Sequence, residues 1–165
     1  MRGSIKVNMV RKSVLLSIIS IMVLVTSVGT TFASSMKIDK GTLTPPPVGY
    51  QINGIFNPNL IYLESGSTSI VDNKNETVTI NVVTESRSVV ESLGGRVFLQ
   101  QWTGSTWNDV GSATTLSSAN NWYFSGEVNK SAQKGYYYRT RVVHFSSHNG
   151  VYEQEETISG YILVN

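Results

Sequence analysis

The chain has 165 residues and no cysteine, and its 13 lysines and arginines exceed its 11 aspartates and glutamates, for a formal charge of +2. The lack of cysteine excludes disulfide frameworks and zinc–thiolate sites. Four of the basic residues lie in the first 12 positions, so the rest of the chain carries 9 basic and 11 acidic groups. It therefore lacks the basic patch of a nucleic-acid-binding protein.

Residues 1–33 have the layout of a secretory signal peptide. A basic start without acidic residues precedes an apolar run over residues 14–25 that two serines interrupt. This run is shorter than the ~20 residues of a membrane-spanning helix, so an uncleaved anchor is the weaker alternative. Thr31 and Ala33 supply the small residues of a cleavage site before Ser34. We predict a secreted, extracellular protein with no membrane attachment after cleavage.

Residues 34–58 are predicted to form a flexible, proline-rich arm, since consecutive prolines at positions 45–47 favour an extended backbone and oppose strand pairing. A proline-rich recognition motif is the alternative. We expect disorder to about Pro47 and contact with the domain in the later apolar positions. These positions are Tyr50, Ile52, Ile55 and Phe56.

From residue 59 to residue 165, short runs rich in β-branched and aromatic residues alternate with turn residues, which predicts a domain of β-strands. In the clearest run, Val78, Ile80 and Val82 alternate with polar residues, as in a half-buried strand. The predicted strands cover residues 67–72, 77–86, 96–102, 106–111, 121–128, 135–145 and 151–164, with a break near Gly160.

Two segments between these runs are predicted to differ. A helical turn is plausible over residues 87–93, because two glycines follow it and would end it. Residues 112–120 are rich in serine, threonine and asparagine and are predicted to be a polar connection. In the strand that follows, we expect Trp122 to share a face with Phe124 and Val128 and to belong to the core.

The run from Gly135 to Phe145 is the longest aromatic and β-branched stretch of the domain. Side chains alternate between the faces of a strand, so this run has two different sides. The side with two arginines is predicted to face solvent. One side carries Tyr136, Tyr138, Thr140, Val142 and His144, and the other carries Tyr137, Arg139, Arg141, Val143 and Phe145.

About seven strands without an amphipathic helix between them predict an all-β fold, an antiparallel β-sandwich or a small barrel. A sandwich of seven strands would resemble an immunoglobulin-like or fibronectin-like arrangement. The tyrosines at the start of the 135–145 run resemble a tyrosine corner, in which Tyr136 or Tyr138 would bond to backbone upstream. The missing cysteine pair argues against the immunoglobulin superfamily itself.

The run Gly-Tyr-Tyr-Tyr-Arg-x-Arg-x-x-His over residues 135–144, the upstream Val-Phe-Leu-Gln-Gln and the apolar final strand resemble a family of small secreted proteins from Gram-positive bacteria, a domain of unknown function. The resemblance covers residues 67–165 and implies a secreted all-β domain. It brings no catalytic residues. Thr140 and Val142 depart from the residues that the family pattern leads us to expect.

Catalytic and metal sites have weak support. His144 and His148 lie near three glutamates in the sequence, but His148 falls in a predicted exposed turn and the glutamates, Glu153, Glu155 and Glu156, lack ligand spacing. No serine lies in a Gly-x-Ser-x-Gly elbow. We therefore predict a protein that is not an enzyme and has neither a metal site nor a cofactor.

Exposed aromatic side chains are the best candidates for binding, because flat rings stack on sugars and anchor protein interfaces. A place in the core, or for Trp102 and Trp107 a cross-strand pair, is the competing interpretation. We predict a secreted binding module for cell-wall or matrix polysaccharide or another protein. A toxin or bacteriocin-like protein that acts on neighbouring membranes is the alternative. The candidate residues are Trp102, Trp107, Tyr123, Tyr137, Arg139 and Arg141.

Overall fold

The computed structural model describes residues 44–49 and 51–165. The predicted signal peptide, the start of the arm and Tyr50 lie outside these residues. The described part forms antiparallel strands and no helix, so no helix there is long and apolar enough to cross a membrane. The strands are β1 (Gly54–Ile55), β2 (Leu63–Asp72), β3 (Thr77–Trp102), β4 (Trp107–Ser131), β5 (Tyr137–His148), β6 (Val151–Ile158) and β7 (Ile162–Leu163).

The long hairpin of β3 and β4 organises the fold, because both strands pass from one layer of the sandwich to the other. Over residues 77–85, β3 pairs with β2 and with the end of β4. Over residues 92–102, it pairs with the start of β4 and with β5. The register against β4 shifts between Glu85 and Val90, where β3 bends. One curled sheet thus supplies both layers.

The three-stranded layer consists of β2, the first part of β3 and the last part of β4. The four-stranded layer consists of the first part of β4, the last part of β3, β5 and β6. In a seven-stranded immunoglobulin constant domain, the fourth strand in chain order pairs with the fifth. Here the fourth position in chain order is the first part of β4, and it pairs with the third, which is the last part of β3. The predicted all-β, antiparallel, seven-stranded fold is confirmed.

The core lies between the two layers and is built from the inward-facing residues of alternating strands. Along β3, Val78, Ile80 and Val82 are fully buried, as their alternation predicts. Burial of such side chains stabilises the fold by roughly 1.5–3 kcal/mol each. The cluster comprises Leu63, Ile70, Val78, Ile80, Val82, Val90, Leu93, Val97, Leu99, Phe124, Ala132, Tyr138, Val142 and Val164.

Residues 51–56 of the arm lie along the edge where β2 and β6 end the two layers. Ile52 and Ile158 exchange two backbone hydrogen bonds of 3.0 Å, and β1 pairs with β2. The ring of Phe56 lies 5.5 Å from that of His144. This part of the arm therefore contacts both layers, as predicted. Phe56 does so through its side chain and Ile52 through its backbone, whereas the side chain of Ile55 is 85% exposed.

Both segments that were expected to interrupt the strands are strand instead. Residues 87–93 continue β3 past its bend, and residues 112–120 continue β4. The glycines at the end of the first segment lie inside β3. A Cβ at Gly94 would meet the carbonyl oxygen of Leu116 and lie 2.7 Å from the Cα of Ser117. Glycine is used here for close approach of two backbones rather than to end a helix.

The tyrosine corner matches the prediction, and a tight turn follows β5. Asn149 and Gly150 have φ angles of 50° and 76° and form the two-residue connection between β5 and β6. The hydroxyl of Tyr138 accepts a 2.9 Å hydrogen bond from the backbone N–H of Gln133, five residues upstream. It also accepts one of 3.2 Å from Gln101 Nε2. Burial raises the pKa of this phenol, although the bond from Gln133 opposes the rise.

Candidate binding face

The outer side of the four-stranded layer brings together five of the six predicted binding residues. Trp102 pairs with Trp107 across the β3–β4 hairpin, and β5 lies on the other side of β3. Alternation along β5 places Tyr137, Arg139 and Arg141 on the same outer side. Together with Tyr161, just before β7, these residues form what we call the aromatic–arginine face. Its members are Trp102, Trp107, Tyr137, Arg139, Arg141 and Tyr161.

The rings of this face form a chain of contacts. Trp102 and Trp107 have their centroids 5.3 Å apart, which confirms the predicted cross-strand pair. Trp107 lies 6.3 Å from Tyr161, and Tyr161 lies 5.7 Å from Tyr137 in an edge-to-face arrangement. Trp102 is only 6% exposed, whereas the other three are half-buried. Trp102 therefore supports the face from below, and the other rings present surface to solvent.

The two arginines of the face lie over aromatic rings. The guanidinium carbon of Arg139 is 4.5 Å from the ring centroid of Trp107, and that of Arg141 is 4.0 Å from the centroid of Phe98. Both distances are within the range of cation–π attraction. Each guanidinium therefore lies over a ring of the sheet, and this contact restricts its position.

Arg141 is neutralised by two carboxylates. Its two terminal nitrogens lie 2.9 Å from oxygens of Asp109 and Glu156. Burial alone would lower the pKa of Arg141, but the hydrogen bonds to Glu156 and Asp109 outweigh it and raise the pKa. Arg141 therefore acts as a link between β4, β5 and β6.

A buried glutamine connects the two arginines. Gln100 is 7% exposed, donates from Nε2 to Asp109 Oδ1 at 2.7 Å, and accepts from Arg139 Nε at 2.8 Å. Since Asp109 also binds Arg141, the polar groups of three strands form one network. Such a network orients Arg139 without a carboxylate in direct contact with it.

Tyr123 does not belong to this face. It pairs with Glu85 on the outer side of the three-stranded layer and is 40% exposed. Its ring lies 5.9 Å from that of Trp122, which is 55% exposed, so the prediction that Trp122 belongs to the core is wrong. Trp122 lies where β4 bends between the layers, and there alternation no longer points a side chain into the core.

The residues considered for catalysis have structural roles. His144 is fully buried, with Nδ1 2.7 Å from Thr84 Oγ1 and Nε2 2.7 Å from Thr157 Oγ1. Burial lowers its pKa to about 4, so the ring is neutral at neutral pH. The ring thus bridges the two layers of the sandwich, since Thr84 lies on β3 and Thr157 on β6.

Glu153 is 8% exposed and holds the segment before β2 in place. Its carboxylate accepts backbone N–H bonds from Ile61 at 2.6 Å, Tyr62 at 2.9 Å and Leu63 at 2.8 Å. Burial raises the pKa of Glu153, but these bonds and one from Ser146 outweigh it and lower the pKa. This glutamate therefore satisfies backbone N–H groups by means of a side chain, where a neighbouring strand does not supply the acceptor.

His148 is not in an exposed turn. It is the last residue of β5, its side chain is 28% exposed, and its ring meets that of Tyr62 edge-on at 5.1 Å. Its Nδ1 lies 3.9 Å from an oxygen of Glu91. Within residues 44–49 and 51–165, no three histidine, aspartate or glutamate side chains come together as metal ligands.

Tyr161 of the face and three residues that contact its arginines were missed as site residues from the sequence. Gln100 and Phe98 lie in a predicted strand, yet their roles depend on the register between β3 and β5. Asp109 and Tyr161 are brought to Arg141 and Trp107 by strands distant in the chain. The alternation of Trp107 with Asp109 was the one sequence feature able to place that carboxylate on the outer side.

No family model, no curated protein and no solved structure matches this chain in comparisons with known proteins. The arrangement of side chains on the two sides of the sandwich is therefore the basis for a functional assignment. The aromatic–arginine face is the surface where the predicted binding residues converge.

Proposed function

We propose that this chain is a secreted, non-enzymatic binding module that attaches to cell-wall or matrix polysaccharide through the aromatic–arginine face. The observation that carries the proposal is the continuous row of half-buried rings beside two guanidinium groups on one sheet. The three-stranded layer lies on the opposite side of these strands, and the arm reaches the face at Tyr161, whose hydroxyl donates a 3.4 Å hydrogen bond to the backbone oxygen of Pro46. Rings fixed on strands bind with little loss of side-chain entropy.

Three half-buried aromatic residues make the row suitable for a linear polymer. Tyr137, Tyr161 and Trp107 have neighbouring centroids about 6 Å apart, at 5.7 Å and 6.3 Å. The apolar rings supply contact area, and the Tyr137 hydroxyl and Arg139 supply hydrogen-bond donors for sugar oxygens. This combination supports polysaccharide over a purely apolar partner.

Retention on insoluble cell-wall and matrix polysaccharide tests the proposal. We expect the double variant Trp107→Ala with Tyr137→Ala to lose most of the retention. The matched control is Trp122→Ala with Tyr123→Ala, which removes the same residue types from the exposed pair at the bend of β4. The control should bind like the parent chain. Equal retention of all three proteins, or loss only in the control, contradicts the proposal.

Export is part of the proposal and has a separate test. If residues 1–33 are a signal peptide, the protein recovered outside an expressing bacterium begins at Ser34. Amino-terminal sequencing measures this directly. Recovery of the full chain inside the cell contradicts export. Leakage of dye from vesicles would instead support the membrane-active alternative.

A further inference from the structure

The two arginines of the face differ in how their charges are met. Arg141 binds two carboxylates, whereas Arg139 forms no salt bridge within the described residues. The hydrogen bond found there for the Arg139 guanidinium joins Nε to Gln100 Oε1, and the two terminal nitrogens have no protein partner in that part of the chain. The Arg141 guanidinium is therefore structural, whereas the two terminal nitrogens of Arg139 stay available as hydrogen-bond donors.

We infer that the aromatic–arginine face selects polysaccharide that carries carboxylate groups, and that Arg139 is the residue that binds the carboxylate. The inference rests on the proposed function and names its ligand class. A guanidinium fork matches a carboxylate with two parallel N–H···O bonds. A sugar ring that follows the carboxylate would lie over Tyr137 or Tyr161, beside Arg139.

The surroundings of Arg139 favour an anion over a neutral ligand. Burial lowers the pKa of Arg139, and the attraction of Glu156 and Asp109 only partly opposes this. The guanidinium is thus partly desolvated without a direct counter-charge, so a carboxylate that reaches it gains more than it would in open water. Stacking on Trp107 at 4.5 Å keeps the fork in place before the ligand arrives.

The charge balance of the outer side favours a singly charged group. Arg96 lies on this side of the layer but outside the aromatic–arginine face, so the side as a whole carries three arginines, Arg96, Arg139 and Arg141, against Asp109 and Glu156. The excess is one positive charge. A uronic acid carboxylate supplies one negative charge in the planar geometry of the fork. A peptide rich in acidic residues would bring several charges close to Asp109 and Glu156.

Affinity electrophoresis of the full chain, as recovered from an expressing culture, tests the inference. The probes are polygalacturonate and the same polymer with its carboxyl groups methyl-esterified. We expect polygalacturonate to bind about tenfold more tightly or better, as a charge-assisted pair implies. Arg139→Gln should bind both polymers equally weakly, and Arg139→Lys should recover only part of the difference because lysine lacks the fork.

The control for charge alone is Arg96→Gln, since Arg96 is exposed on the same side of the sheet. It removes the same charge and should keep the preference for polygalacturonate. Equal losses in the Arg96 and Arg139 variants would indicate non-specific attraction and overturn the inference. A preference for polyglutamate or for teichoic acid over polygalacturonate would also overturn it, in favour of a peptide or a phosphodiester.

The two proposals fail in different ways. One outcome overturns only the carboxylate inference and leaves the binding face intact. In this outcome the parent chain binds both polymers equally, Trp107→Ala with Tyr137→Ala abolishes the binding, and Arg139→Gln does not. If none of the insoluble and soluble polysaccharides binds, the proposed function itself is wrong. A thermal melt of Arg139→Gln should show one cooperative transition slightly below that of the parent chain, because the variant loses only the contact with Trp107 and the hydrogen bond to Gln100 Oε1.

Discussion

The two sides of the four-stranded layer are built from the same strands, yet they are covered in different ways. The inner side is buried by the other layer and contains fully buried residues such as Val142 and His144. On the outer side, arginines lie on rings and Gln100 joins the charges, and Pro46 of the arm contacts the face at Tyr161. We infer that the inner side determines stability and that the outer side is preorganised for a ligand.

His144 and Phe145 are neighbours in β5, and their side chains lie on the inner and the outer side of the layer. His144→Ala should lower the free energy of unfolding by roughly 3–5 kcal/mol, because it opens a cavity and leaves the hydroxyls of Thr84 and Thr157 without the ring. Phe145→Ala removes a half-buried ring stacked on Tyr152, and should cost about 1 kcal/mol. Urea denaturation measures both. Similar losses of unfolding free energy in the two variants would contradict the inference that the inner side determines stability.

The pH dependence of stability tests the same buried histidine. The folded pKa of His144 is about 4, below the unfolded value of 6.5, so the unfolded chain binds the proton more readily. Stability is therefore complete above pH 6.5 and is lost as the pH falls toward 4. We expect a loss of about 2 kcal/mol between pH 6.5 and pH 5.

The control for this titration is His144→Gln, which should be less stable than the parent chain but flat between pH 6.5 and pH 5. Glu153 contributes little to the slope in this range, because its folded pKa lies below the ordinary value of 4.5 and its contribution is lost mainly below pH 4.5. A slope that persists in His144→Gln would show that another group is responsible.

The inner side of this layer was predictable from the sequence, and so was part of the outer side. Strict alternation over residues 135–145 assigned Tyr138 and His144 to the core and Arg139 to the outer side, because a strand has a fixed period of two. The hairpin at Trp102 and Trp107 also follows from local residues. Period and turn chemistry are short-range properties, so one sequence suffices for them.

The parts that failed depend on long-range pairing. Residues 112–120 belong to β4, which pairs with β3 alone within the described residues. Burial alternates between half-buried and exposed over residues 113–119, but nearly all of these residues are small or polar, so the sequence shows no apolar–polar alternation. The bend of β3 after Glu85 then carries Tyr123 to the other layer. Such bends decide whether two strands share a layer. The network through Gln100 depends on the register of three strands, which the sequence of any one strand does not contain.

A smaller effect is expected where the inner side meets a turn. Tyr138→Phe keeps the buried ring but removes the acceptor for the backbone N–H of Gln133 and for Gln101. We expect a loss of about 1 kcal/mol in the free energy of unfolding, the usual value of such a bond. Thermal unfolding measures it, with Tyr136→Phe as the control at the half-buried tyrosine two residues before it. Equal losses in the two variants would argue against a tyrosine corner at Tyr138.

The smallest effect on stability should come from the most conspicuous ion pairs of the molecule. Arg141→Met removes the bonds to Asp109 and Glu156, yet both acidic side chains are about two-fifths exposed, at 41% and 43%, and water can take the place of the guanidinium. We expect a loss below about 1 kcal/mol, and less in high salt. Arg96→Met is the exposed control. Urea denaturation measures the free energy of unfolding of both variants. If Arg141→Met lowers it as much as His144→Ala does, the outer network stabilises the fold, and the inference that it is preorganised for a ligand is wrong.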